Sequence, residues 1–101
     1  MSNIPAYSAV LSGRAQKETS EAWIWYEERQ RGLGDRFLKE VITRIRKIEQ
    51  TPERYPTRFK SYKETPVPVF PFLIIYRINK KRKLIHVVSV FHTAMHPKKK
   101  Y

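Results

Sequence analysis

Three histidines, His86, His92 and His96, fall close together near the end of the chain and are the side chains whose type could hold a metal ion. A metal centre needs three or four ligands on one point, commonly with Asp, Glu or Cys among them. No acid follows Glu64 and the chain has no cysteine. Along a strand, His86 and His92 would lie roughly 20 Å apart at ~3.3 Å per residue. No metal site and no cofactor are therefore expected. Two basic runs carry a different chemistry: Lys80, Lys81, Arg82 and Lys83 in one, Lys98, Lys99 and Lys100 in the other. Such runs can contact phosphates or an acidic protein segment. With no aromatic residue interleaved they do not read bases, and as turn and tail residues they could also simply be solvated.

The charge of the whole chain points the same way. Of 21 Lys and Arg, twelve lie in residues 51–101, with only two of the nine Asp and Glu. A fold with this asymmetry presents a positive face and calls for an acidic partner, among which nucleic acid, an acidic protein segment and an anionic membrane qualify. The bland alternative is a basic surface that only keeps a small domain soluble. The absence of cysteine removes thiolate chemistry and disulfides and fits a reducing compartment. "MSNIPAYSAV" is no secretory signal, and "VPVFPFLIIY" is too short to span a bilayer. The expectation is a soluble, cytoplasmic protein without a membrane partner. A length of 101 residues with 41% apolar residues supports a single domain, 1–101, with one small core.

The elements that must position these residues follow from periodicity. Ala6–Ser12 reads as a short first strand, and Ser12 can cap a helix over Arg14–Arg31. On that helix Ala15, Thr19, Ala22 and Tyr26 share a face, which Trp25 widens. A second helix, with Asp35 as its cap, carries Phe37, Leu38, Val41, Ile42, Ile45 and Ile48 and stops near Gln50, before Pro52. Between them, "RGLGD" reads as a tight link. Gly32 can close the first helix in a left-handed conformation, Leu33 can fold back as a plug, and Gly34 leads into the Asp35 cap. On this reading alanine at Gly34 is tolerated better than valine at Gly32. So short a link makes an antiparallel helical hairpin. "TPERYPT" is a proline-bounded loop. Arg58–Thr65 reads as a polar edge strand and Val69–Ile78 as a strand with Phe70, Phe72, Ile74 and Tyr76 on one face. Leu84–His92 reads as a central strand, after a charged turn. The expected fold is α+β, with the hairpin laid on a mainly antiparallel sheet of three to four strands.

The run of "WYEERQRGLGDRF", "TPERYP", "FPFLIIYRI" and "VVSVFHTAMHP" resembles the RelE/ParE superfamily of toxins from type II toxin–antitoxin modules. The likeness is greatest to its ParE-like, plasmid-stabilisation branch and covers a core of about 7–98, leaving a basic tail at 98–101. The resemblance implies a compact toxin neutralised by a cognate antitoxin from an adjacent gene, whose disordered C-terminal segment wraps the toxin. It also implies one of two activities. ParE-like members poison DNA gyrase, and RelE-like members cleave messenger RNA in the ribosomal A site.

Cleavage of RNA requires a base for the 2′-hydroxyl, cations for the charge developing on phosphorus, and an acid for the leaving oxygen. In RelE-like members much of this set comes from arginines on the strands and a late tyrosine or histidine. Here Leu73 stands where a strand arginine is expected and Met95 where the arginine after the last strand is expected. If the chain were a nuclease, the resemblance leaves His92 and His96 as acid or base, Arg58 and Arg77 as phosphate clamps, and Tyr101 as acid or stacking ring. Each also has a simple structural role available: His92 as a strand-end hydrogen-bonding residue, His96 and Tyr101 as surface residues of a tail, Arg77 as a solvent-facing residue. The surface offered to antitoxin and target would combine Trp23, Trp25, Leu73 and Arg77 with the two basic runs. An exposed tryptophan there would be a hot spot. The reading favoured is a toxin that acts by binding gyrase. Its rivals are a ribosome-dependent endoribonuclease and a degenerate relative that mainly binds its antitoxin.

Overall fold

Ser12 stands where the first strand, β1 (Ser8–Leu11), gives way to the first helix, α1 (Gly13–Arg29). Its hydroxyl oxygen accepts the Ala15 N–H at 3.0 Å, the cap expected there, and its proton goes to the Val88 carbonyl at 2.8 Å. The start of α1 is thereby tied to a strand 76 residues further on. The computed structural model describes residues 6–94 and 100–101.

The inward face of α1 is made of small residues, Ala15, Thr19 and Ala22, so the helix lies close to the sheet. Tyr26 continues it and meets Phe37, Phe70 and Phe72, with ring centroids 5.0–6.3 Å from its own. Trp25 does not widen this face. It is 51% exposed, because one helical residue turns the side chain by about 100° and Tyr26 already occupies the edge. The second helix, α2 (Leu33–Gln50), buries Phe37, Val41, Ile45 and Ile48, while Ile42 is left 41% exposed at the border of the stripe.

The link between the helices departs from expectation in three ways. Gly32 is left-handed, with φ 87°, but it begins α2, while α1 has already ended at Arg29 with Gln30 as its C-cap. Asp35 is no cap; it lies in the first turn of α2 and accepts the Trp23 Nε1–H at 2.9 Å. The capping carboxylate comes from α1 instead. Glu27 accepts the N–H groups of Gly32, Gly34 and Asp35 at 3.2, 2.8 and 3.2 Å, where the unpaired amides and the helix dipole favour a negative charge. Gly34 is needed for a different reason from Gly32. A Cβ there would lie 2.6 Å from both the Trp23 carbonyl oxygen and Glu27 Cγ, whereas one on Gly32 would meet nothing within 4 Å.

Past α2, Pro52 starts a 3-10 turn (Pro52–Arg54). The segment expected to be one edge strand is a hairpin, β2 (Thr57–Phe59) and β3 (Tyr62–Pro66), folded at Lys60 and Ser61. The next strand, β4 (Phe72–Asn79), starts three residues later than expected. Pro68 and Pro71 cannot donate to a ladder, and Val69 is 74% exposed with φ 74°, so the chain loops until Phe72. The last strand, β5 (Leu84–His92), has the expected bounds and an interior place in a five-stranded sheet ordered β1-β5-β4-β3-β2. The sheet is larger than expected and mixed, because β1 pairs with β5 in parallel while the other pairs are antiparallel. Phe72, Ile74, Tyr76, Ile85, Val87 and Val90 meet the helices to form the core. Alternation sends Leu73, Ile75 and Arg77 to the opposite face.

Two predictions follow from this packing. Gly34→Ala is expected to destabilise by about 1–3 kcal/mol, through overpacking against backbone. Gly32→Ala is expected to cost only the left-handed strain of about 1–2 kcal/mol. Denaturant melts rank the two, and a milder Gly34→Ala would refute the close approach. The second concerns Tyr76, whose buried hydroxyl donates to the Pro52 carbonyl at 2.6 Å. Burial, with smaller contributions from Tyr55 and Glu53, pushes its phenol well above the ordinary value. Its contribution is therefore complete below pH ~10, where unfolded tyrosine is still neutral, and declines as pH rises further and only the unfolded chain ionises. Stability of Tyr76→Phe, lower by about 1 kcal/mol at neutral pH, should fall less steeply above pH 10. Parallel curves would remove the argument.

Candidate functional site

Where β1 ends at Leu11 the chain leaves the sheet, so the second half of β5 is paired with β4 on one edge and has no strand along the other. The α1 helix crosses this open side. Glu18 Oε1 accepts the Val90 N–H at 3.0 Å and the Ser89 hydroxyl at 2.7 Å, which takes the place of a strand partner. Above that contact lies a groove of about 590 Å³. Ala22, Trp25 and Tyr26 of α1 form one wall, Pro71 and Phe72 the end, Val90 and His92 the floor, and Glu18 and Glu21 the rim. Its lining is mainly apolar, in a protein whose formal net charge is +12.

Trp25 is held in place although half of it is exposed. The Arg29 guanidinium lies 3.5 Å over its ring centroid and donates to the Trp25 carbonyl at 3.2 Å, and Tyr26 meets its ring edge-on at 5.2 Å. Burial raises the Tyr26 phenol above its ordinary value, so that ring is neutral at the base of the groove. His92 stands edge-on to Phe72 at 4.9 Å, and its Nδ1 accepts the Ala94 N–H at 3.1 Å. Trp23 has a different fate from Trp25: half-buried and bonded to Asp35, it ties α1 to α2.

The fold is thus a hairpin of two helices over a mixed sheet, with an apolar groove between α1 and the second half of β5. The family described as "ParE toxin of type II toxin-antitoxin system, parDE" matches residues 9–97. The chain belongs to the ParE toxin family. A solved structure titled "Chromosomal ParDE TA system from P. aeruginosa" superposes with a TM-score of 0.75 over 86% of this chain and 96% of that one, at 11% identity, which speaks for the fold alone. No curated protein matches the chain in sequence. As a ParE-family toxin it has an antitoxin for a partner. Among the described residues no helix is long and apolar enough to cross a membrane.

In this ParE-family chain, His92 and Arg77, two of the residues considered for a nuclease, do not meet. His92 pairs with Phe72 on the helix side of the sheet, and Arg77 pairs with His86 on the other side. Five residues of β4 separate those positions, roughly 16 Å at ~3.3 Å per residue. Leu73 is half-buried and faces Phe91 across the ladder, a buried apolar neighbour. Arg58 is exposed on β2. Tyr101 stacks on Phe59 and Tyr62, with centroids at 4.8 and 5.3 Å, and its hydroxyl bonds to Glu64. Lys100 Nζ joins the same carboxylate at 2.9 Å. Lys80 pairs with Glu53 at 3.4 Å, and Lys81, Arg82 and Lys83 are exposed. Met95, His96, Lys98 and Lys99 lie outside the described residues. Among those described, no three His, Cys, Asp or Glu side chains gather as a metal site would require.

Sequence reasoning missed Glu27, Glu64 and Pro71. Glu27 and Glu64 lie in charged helical and strand patterns like any solvated acid, and Pro71 read only as an interruption. The two tryptophans can be told apart experimentally. Trp23→Phe, which loses the bond to Asp35, should destabilise by about 1 kcal/mol, while Trp25→Ala should cost less than that. Thermal melts that reverse this order would show that Trp25 is the structural ring.

Proposed function

We propose that this ParE-family toxin acts by binding DNA gyrase and has no nuclease activity of its own. The observation that carries the reading is the apolar pair Leu73 and Phe91 on the sheet face away from the helices. An RNA cleaving site of the RelE kind would need a cation there to stabilise charge developing on the phosphate. One lost contact of this sort costs ~10²–10³ in rate. The separation of His92 from Arg77, on opposite faces, adds to this, as does the engagement of Tyr101 by Glu64. The choice of gyrase rests on resemblance to ParE-like toxins.

The antitoxin's place, in the same reading, is the groove beside β5. A groove with an exposed, fixed tryptophan and an apolar floor suits an amphipathic segment that inserts apolar side chains. Trp25→Ala should weaken antitoxin binding by ~2 kcal/mol or more, about 30-fold, measured by calorimetry on the purified pair. An unchanged affinity would place the antitoxin elsewhere. For the target, the toxin freed of its antitoxin should inhibit supercoiling by gyrase, or cause DNA cleavage with it, and should leave messenger RNA on translating ribosomes intact. Cleavage of ribosome-bound message that is lost in His92→Ala or on deletion of Tyr101 would overturn this and make the chain an endoribonuclease. Silence in both assays would mark a relative that mainly binds its antitoxin.

A further inference from the structure

A second concavity, of about 300 Å³, opens between the last turns of α2 and the 3-10 turn that follows. Arg44, Lys47 and Arg54 line it together with Gln50, Thr51 and Tyr55. Among the described residues no carboxylate lies within ion-pair distance of any of the three cations. Glu53, next to Arg54 in sequence, pairs instead with Lys80 at 3.4 Å. Arg44 Nε is buried and has no hydrogen-bond partner. Its Nη1 donates to the Tyr55 hydroxyl at a long 3.4 Å, which leaves the Tyr55 proton free to be given elsewhere.

The negative end of the helix dipole explains a cation in the last turn, and Lys47 fills that role. It does not explain Arg44, one turn earlier, whose Nε–H meets no acceptor. A buried charged donor left unmade is costly, and like charges around one hollow repel. An anion in the hollow, which Arg44 lines, relieves the repulsion and brings a negative charge to its guanidinium. The donors are spread around the space, on two elements of the fold. A carboxylate has two oxygens in one plane and suits one guanidinium; a tetrahedral anion has acceptors pointing in several directions.

We propose that this pocket binds a phosphate group through Arg44, Lys47 and Arg54, with the Tyr55 hydroxyl as a further donor. The phosphate could belong to a nucleic-acid backbone or to a free nucleotide, and the recognition chemistry is the same. A backbone has one added attraction: beyond Glu53 the basic surface continues through Lys80 to the exposed Lys81 and Arg82, where a neighbouring phosphate would lie.

Nitrogen-15 NMR on the full chain tests this with inorganic phosphate as the probe and sodium chloride at matched ionic strength as the reference. The Arg44 Nε–H and Thr51 N–H signals should shift saturably with phosphate and not with chloride. Arg54 is exposed, so Arg54→Gln keeps the fold, and it should weaken phosphate binding about tenfold, the loss of one charge-assisted bond. Equal shifts in chloride, no saturation, or an unchanged affinity in Arg54→Gln would each overturn the proposal. Two further titrations identify the source. If it is a backbone, a short DNA duplex binds more tightly than phosphate, and Arg54→Gln and Lys81→Gln each lower the salt slope by about one. If it is a free nucleotide, adenosine monophosphate competes with phosphate, and duplex binding ignores Arg54→Gln.

Discussion

The Glu27 carboxylate holds the two helices as one unit, and much else depends on that. By accepting three N–H groups at the start of α2 it supplies the acceptors that a helix terminus lacks, and it does so from the neighbouring helix. The closeness this demands is what excludes a side chain at Gly34. With the hairpin fixed, Tyr26 and Phe37 arrive together over Phe70 and Phe72, and Tyr26 and Phe72 of that cluster line the groove. A looser hairpin would let the rings part and the groove fill.

The same economy of carboxylates shapes the surface. Only nine acids are present, and several are engaged inside the fold. Glu49 accepts the Ala9 N–H at 2.7 Å and, with Gln16 on the Leu11 carbonyl at 3.0 Å, blunts the free edge of β1. Glu18 does the same for β5, Asp35 holds Trp23, and Glu64 anchors Lys100 and Tyr101. Glu18 and Glu64 also pair with Arg14 and Lys100, but nine acids cannot balance 21 Lys and Arg. The positive excess is therefore presented to partners, and both the basic turn at 80–83 and the Arg44–Arg54 hollow are consequences of where the acids went.

The groove and the sheet face away from the helices divide the molecule's chemistry. On the helix side, aromatic rings and His92 surround an apolar space rimmed by Glu18 and Glu21, which suits binding by shape. On the other side Leu73 and Phe91 occupy the middle, with Arg77 and His86 displaced along the strands. An active centre requires its groups to converge within hydrogen-bond reach of one atom, and this ladder spreads them.

What could be read from the sequence is what neighbours along the chain decide. The Ser12 cap, the end of α2 before Pro52, the stripe from Phe37 to Ile48 and the bounds of β5 follow from periodicity, capping and proline geometry, all interactions within a few residues. The family could be read as well, from the order of those elements and the residues at their junctions. The parallel pairing of β1 with β5, the separation of Trp23 from Trp25, the capping by Glu27 and the hollow around Arg44 could not. Each depends on which distant backbone or side chain arrives alongside, and a strand of four residues or a lone glutamate carries no mark of its eventual neighbour. The same limit applies to Gly34: the sequence shows a residue suited to a turn, and only the packed helices show that the space beside it is already taken by Trp23 and Glu27.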